Sequence, residues 1–194
     1  MAGIIDKPHR LAGYDYSQAG AYFVTICTHQ NLQILAGYTE NGFLMTALGY
    51  LATRVWCRIP EWYPMVQLDC FVVMPNHVHG ILLFVPPLRT SRNPEPGTEK
   101  PYSMPALPAV VGAFKSTVTR EWHRARNCDS RIWQSNFYDH IIRSERALQR
   151  IQEYIINNPA QWHLDKENGA STSLNPFYGW LESEASAKKQ TGFM

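Results

Sequence analysis

The run Phe71-Val-Val-Met-Pro-Asn-His-Val-His-Gly-Ile-Leu-Leu-Phe-Val85 carries the residues whose types and spacing could do chemistry. Two apolar runs meet at Met74-Pro75-Asn76, a tight-turn signal because proline fixes φ and asparagine tolerates turn geometry. The pattern predicts a β-hairpin. Side chains alternate along a strand, so His77 and His79 share one face while Val78 and Gly80 take the other. Two adjacent imidazoles can chelate a divalent metal, or they can be structural and satisfied by backbone hydrogen bonds. Further along, Tyr154 and Asn158 lie one helical turn apart and share a helix face. A phenol and an amide so placed could supply a nucleophile and a ligand. Equally, Tyr154 could be a packed aromatic with its hydroxyl at the surface, and Asn158 a cap before Pro159.

The elements that must position these groups follow from periodicity. Residues 21–28 are rich in β-branched and aromatic side chains and predict a first strand. Residues 32–44, broken by Gly37 and Asn41-Gly42, read as a short hairpin or an irregular connection. Thr46 can cap a helix with Leu48, Leu51, Val55 and Ile59 on its apolar stripe, ended by Pro60. Segments 66–74 and 77–85 form the central hairpin, apolar on both faces and so expected inside the sheet. Residues 86–108 hold seven prolines and read as an insertion or loop. A second helix is expected over 109–126, a fourth strand over 131–143, and a third helix from Ser144 to Asn158, stopped by Pro159. The order β-α-β-β-α-β predicts an α+β, ferredoxin-like sandwich, an antiparallel sheet with helices on one face, plus a C-terminal helix. The expected organisation is a lead-in at 1–20, one domain over 21–162, and a tail over 163–194.

Composition narrows the setting. With 194 residues, 45% of them hydrophobic and only 18% charged, the chain suits one globular domain with a substantial core. Cys27, Cys57, Cys70 and Cys128 are scattered without metal or disulfide spacing, as expected of free thiols in a reducing compartment. No apolar run reaches the roughly 20 residues of a membrane span. A soluble, cytoplasmic protein is expected. The formal charge of +2 neither demands nor excludes a nucleic-acid partner.

Taken together, His77-Val78-His79 after its Met-Pro-Asn turn and Tyr154-Ile-Ile-Asn-Asn158-Pro on a late helix resemble the single-tyrosine HUH transposases, in particular the REP-associated tyrosine transposases. Gly13-Tyr-Asp-Tyr16, Tyr22-Phe-Val-Thr-Ile26, Gly112-Ala-Phe-Lys115-Ser116 and Trp133-Gln-Ser-Asn-Phe-Tyr138 extend the resemblance in order across residues 10–162. The resemblance implies a metal-dependent nuclease and strand transferase acting on single-stranded DNA beside a hairpin. It implies Tyr154 as nucleophile, His77 and His79 as ligands of Mg²⁺ or Mn²⁺, and Asn158 as third ligand where insertion-sequence relatives often carry glutamine. A 5′-phosphotyrosine would form, and the protein would work as a monomer or homodimer. Lys115, Arg120, Arg143, Arg146 and Arg150 could meet DNA phosphates. The alternative is a non-catalytic single-stranded nucleic-acid-binding module on the same fold, its histidines structural.

Overall fold

Val, Ile, Tyr and Phe at alternating positions give four strands: β1 (Gly20–Cys27), β4 (Val66–Val73), β5 (His77–Phe84) and β6 (Tyr138–Ile142). They form one sheet in the order β4-β5-β1-β6, every neighbouring pair antiparallel. The computed structural model describes residues 13–40, 42–86 and 104–187. Between β1 and β4 come a separate hairpin, β2 (Ala36–Thr39) and β3 (Gly42–Met45), and two helices, α1 (Ala47–Cys57) and α2 (Ile59–Trp62). Helix α3 (Leu107–Arg126) connects β5 to β6, and α4 (Glu145–Asn157) and α5 (Pro176–Ala187) follow. This is the expected βαββαβ order, with the ambiguous segment 32–44 resolved as a hairpin.

Both predicted helix caps are formed. The Thr46 hydroxyl accepts from Gly49 N at 3.2 Å and the Ser144 hydroxyl from Ala147 N at 3.2 Å, each satisfying an otherwise unpaired first-turn amide. Pro60 ends no helix. It sits in the first turn of α2, where its missing N–H costs nothing.

The sheet is covered on both faces. Tyr22, Val24, Ile26, Val78 and Leu82 pack with Val55 and Trp56 of α1 and Val110, Phe114 and Val118 of α3. The opposite face presents Phe23 and Ile81 to Ile151, Tyr154 and Ile155 of α4 and to Phe177, Tyr178 and Leu181 of α5. Gly80 permits the first packing: a Cβ there would come within 2.3 Å of the Trp56 ring.

Three expectations need correction. β4 is an edge strand of the sheet and not interior, with an irregular register between Leu68 and Phe71; its apolar side chains are covered from above and below, which mimics an interior strand in sequence. The fourth strand starts at Tyr138, because 131–137 is irregular apart from a bridge between Trp133 and Thr28. The segment read as a tail carries α5, whose Phe177, Tyr178 and Leu181 are buried on the sheet. Most of the proline-rich insertion lies outside the described residues.

Candidate metal centre and tyrosine

The register of the sheet fixes the site. Cys27 pairs with His77 and Thr25 with His79, so both imidazoles stand on the face that α4 and α5 cover, near the end where β1 finishes and β5 begins. They are 0% and 1% exposed. The Asn76 amide donates from Nδ2 to Glu167 O at 2.7 Å, which turns its Oδ1 toward His77 Nδ1 at 2.9 Å. Nδ1 of His77 therefore carries the proton, and Nε2 presents its lone pair. The Thr25 hydroxyl, 2.9 Å from Nδ1, holds the direction of the His79 ring. Such secondary contacts fix tautomer and ring direction in metal-binding histidines.

The two Nε2 atoms face each other at 2.9 Å, and each lies close to Asp165 Oδ2, at 3.8 Å from His77 and 3.9 Å from His79. Two donors of one octahedral ion at 2.1 Å are about 3.0 Å apart, so the separation suits adjacent ligands. Burial, then the neighbouring His79, pushes the His77 pKa down to about 3; burial lowers His79 too. Near neutral pH both rings are therefore uncharged, and the donor atoms of His77, His79 and Asp165 all lie within 4.8 Å of one another. Two imidazoles beside one carboxylate are a donor set that fits a divalent ion.

Burial alone would raise the Asp165 carboxyl, but the imidazoles of His77 and His79 beside it outweigh that and hold the group well below the ordinary carboxylate range. Its Oδ1 also accepts from Glu167 N at 2.8 Å. Sequence reading passed over Asp165, because a lone aspartate in a polar stretch has no period and no nearby motif to mark it.

The structure brings Tyr154 to this cluster. Its hydroxyl is 3.2 Å from His79 Nε2, donates to Asp165 Oδ2 at 3.0 Å and touches the Tyr178 hydroxyl, which also donates to Asp165 Oδ2 at 3.0 Å. Burial, then Tyr178 and the Asp165 charge, raises the Tyr154 phenol well above its ordinary range. In this arrangement Tyr154 is a protonated donor. Asn158 follows at the C-terminal end of α4, 1% exposed, its side-chain nitrogen without a hydrogen-bond partner among the described residues.

The five basic residues do not form one patch. Lys115 and Arg120 ride on α3, on one side of the sheet; Arg146 and Arg150 ride on α4, on the other, with Arg143 just before it. Arg143 follows Ile142, the partner of Ala21, whereas His77 pairs with Cys27. Six residues of strand, about 20 Å, separate those levels. Arg150 lies over the Trp180 ring at 4.5 Å.

Comparison with known proteins adds three findings. No family model matches the chain. An uncharacterised protein from Haemophilus influenzae is 36% identical over 168 residues, which cover 81% of this chain and 89% of that protein. Among solved structures, the chain is similar to a REP-associated tyrosine transposase bound to a REP hairpin, the family its motifs resemble, with 17% identity, 80% of this chain and 74% of that one covered, and a TM-score of 0.49. It is also similar to a candidate transposase from Deinococcus radiodurans, at 19% identity and a TM-score of 0.40 over 76% and 95% of the two chains. No helix among the described residues is long and apolar enough to cross a membrane.

Proposed function

The chain belongs to the same family as the uncharacterised Haemophilus influenzae protein, and we propose that it is a metal-dependent single-stranded DNA endonuclease and strand transferase of the single-tyrosine HUH type, acting beside DNA hairpins. The observation that carries this reading is the 3.2 Å approach of the Tyr154 hydroxyl to Nε2 of His79, one of two buried histidines whose Nε2 atoms face each other at 2.9 Å.

His77 and His79 would hold the ion, with Asn158 from the tyrosine helix as third ligand and Asp165 as a further carboxylate donor beside them. An ion held there supplies positive charge to a scissile phosphate and favours ionisation of the phenol. Tyr154 attacks phosphorus, its proton passing to Asp165 Oδ2, the acceptor at 3.0 Å. The bond from phosphorus to the 3′ oxygen breaks, the leaving oxygen takes a proton, and a 5′-phosphotyrosine remains. One phosphodiester replaces another, so rejoining needs no nucleotide triphosphate.

Incubation of a hairpin-bearing single strand with the protein and Mn²⁺ should give a denaturant-resistant protein–DNA adduct. Chelation, or the His77→Ala/His79→Ala pair, should abolish it together with Mn²⁺ binding in calorimetry. Cleavage that persists without either histidine would end the metal reading. A perfect duplex should bind more weakly than the hairpin strand at matched salt.

A further inference from the structure

On the side of the sheet away from Tyr154, α3 and the segment 129–134 border an open, shallow cleft of about 780 Å³. One wall is a helical stripe that includes Lys115, Ser116 and Arg120; the other contains Arg131, Trp133 and Gln134. Lys115 Nζ donates to Gln134 O at 2.6 Å and to Ser135 O at 2.9 Å, and Arg131 donates to Trp133 O at 3.3 Å and to the Ser135 hydroxyl at 2.8 Å. All these partners are neutral. Elsewhere on α1 and α3, Arg54 and Arg58 spend their charge on Glu121. Among the described residues no carboxylate pairs with Lys115, Arg120 or Arg131, and Asp129 is the one acidic residue lining the cleft. Burial, then the charge of Arg131, lowers the Lys115 pKa to about 8, the mark of a cation short of an anion.

A second feature asks for an acceptor. Trp133 is 5% exposed, and its indole nitrogen is buried with no hydrogen-bond partner among the described residues. A buried donor left unpaired is costly, and Trp133 is one of the residues that line the cleft.

The cleft also adjoins the histidines through the backbone. Gln134 N donates to Cys27 O at 3.0 Å, Cys27 pairs with His77, and Thr28 N donates to Asn76 O at 2.8 Å. The Gln134 side chain bridges to Asn31 Oδ1 at 2.7 Å on the same edge. A chain leaving the cleft over this edge arrives at the end of the sheet where His77 stands. The size is that of a pocket for a small ligand and takes a few nucleotides, not a duplex.

We propose that this cleft is a phosphodiester subsite, which grips the backbone of the unpaired DNA flank and leads it round the sheet edge toward Tyr154. The proposal rests on the nuclease reading above and adds where the strand runs. Cations without a carboxylate partner would neutralise successive phosphates, Ser116 would add a neutral donor, and sequence would be read elsewhere.

The test is anisotropy with two fluorescent oligonucleotides, a hairpin carrying a single-stranded flank and the same hairpin trimmed blunt, across a salt series. Arg120→Glu/Arg131→Glu should weaken binding of the flanked hairpin roughly tenfold at about 0.1 M salt and lower the salt slope by about 1.4, some 0.7 for each lost contact to a single strand. Binding of the blunt hairpin should be unchanged. Arg120→Gln, which leaves the Arg131 braces in place, should show half the change in slope, and Mn²⁺ titration should report an intact site in both variants. Equal affinity and slope in wild type and variants would overturn the subsite, as would equal losses on the blunt hairpin. Wild-type protein that binds neither oligonucleotide would overturn the nuclease reading itself, and this inference with it.

Discussion

The rings of Tyr154 and Phe177 lie face to face, their centroids 3.7 Å apart and their planes within 3° of parallel. Phe177 belongs to α5, so the helix nearest the C-terminal end of the described chain covers the residue proposed to attack DNA. Tyr178 and Asp165 take the hydroxyl's remaining contacts, and Tyr154 is left 6% exposed. A DNA strand cannot reach the phenol while this packing holds.

A prediction about motion follows from that burial. Binding of a flanked hairpin in the presence of Mn²⁺ should speed amide hydrogen exchange across 176–187, as α5 leaves the tyrosine, while β1 and β5 keep their protection. Adduct formation with α5 as protected as before would show that the strand arrives by another route.

The histidines make the metal-free fold sensitive to acid. His77 titrates near 3 in the folded chain and near about 6.5 when unfolded, so the unfolded state takes up its proton first as pH falls. Stability is complete above about 6.5 and declines toward 3; the lowered His79 acts in the same sense. Asp165, also lowered, loses its contribution only beneath about 3.9. The interval between 6.5 and 4 therefore belongs to the histidines. At pH 4.5 the His77 share is about 3 kcal/mol, from about 1.4 kcal/mol per pH unit. Urea midpoints at neutral pH and at 4.5 measure it, and His77→Gln should flatten the dependence. A midpoint that stays level in the native protein would mean that the imidazoles are not held neutral.

Gly80 offers a test of the layer beneath the site. Its neighbour His79 faces the tyrosine, and Gly80 itself faces Trp56, whose ring atoms stand 2.3 and 2.6 Å from where a Cβ would be. Trp56 is 1% exposed, stacked on Phe71 at 4.5 Å and edge-on to Phe114 at 5.5 Å, so it has little room to yield. Gly80→Ala should destabilise the protein by about 1–3 kcal/mol or more, measured by chemical denaturation. An unchanged midpoint would show that Trp56 relocates freely.

Much of this architecture was legible in the sequence because local chemistry and tertiary need agree. The Met-Pro-Asn turn places both histidines on one face, Thr46 and Ser144 mark where helices begin, and the 3.6-residue period of α4 shows which side is buried. What was missed depends on contacts between distant segments. β4 looks interior because helices cover its two faces, while hydrogen bonding to neighbouring strands leaves no trace in side-chain pattern. α5 has Gly179 as its fourth residue and a weakly sided composition, so its burial arises from the Phe177–Tyr154 stack and not from its own period. Asp165 reaches the histidines only because the chain after α4 folds back across the sheet.

The last prediction concerns which tyrosine attacks. Tyr138 stands opposite Thr25 in the register, on the same sheet face as the histidines, and is thus the obvious rival. Its ring lies under Lys166 Nζ at 4.9 Å, and burial, then the nearby Asp139 charge, raises its phenol to about 12. Tyr154 differs in having its oxygen 3.2 Å from His79 Nε2 and 3.0 Å from Asp165. Tyr154→Phe removes that oxygen and keeps the ring on Phe177, so the fold and hairpin binding should survive while the adduct disappears, a loss of at least about 10³-fold in cleavage. Tyr138→Phe should retain adduct formation. Tyr178→Phe also keeps the attacking oxygen and removes one of its hydrogen-bond partners, so it should slow the adduct without abolishing it. Mass spectrometry of the trapped peptide decides the matter: phosphotyrosine at residue 138 or 178, or full activity in Tyr154→Phe, would place the attacking oxygen on another residue.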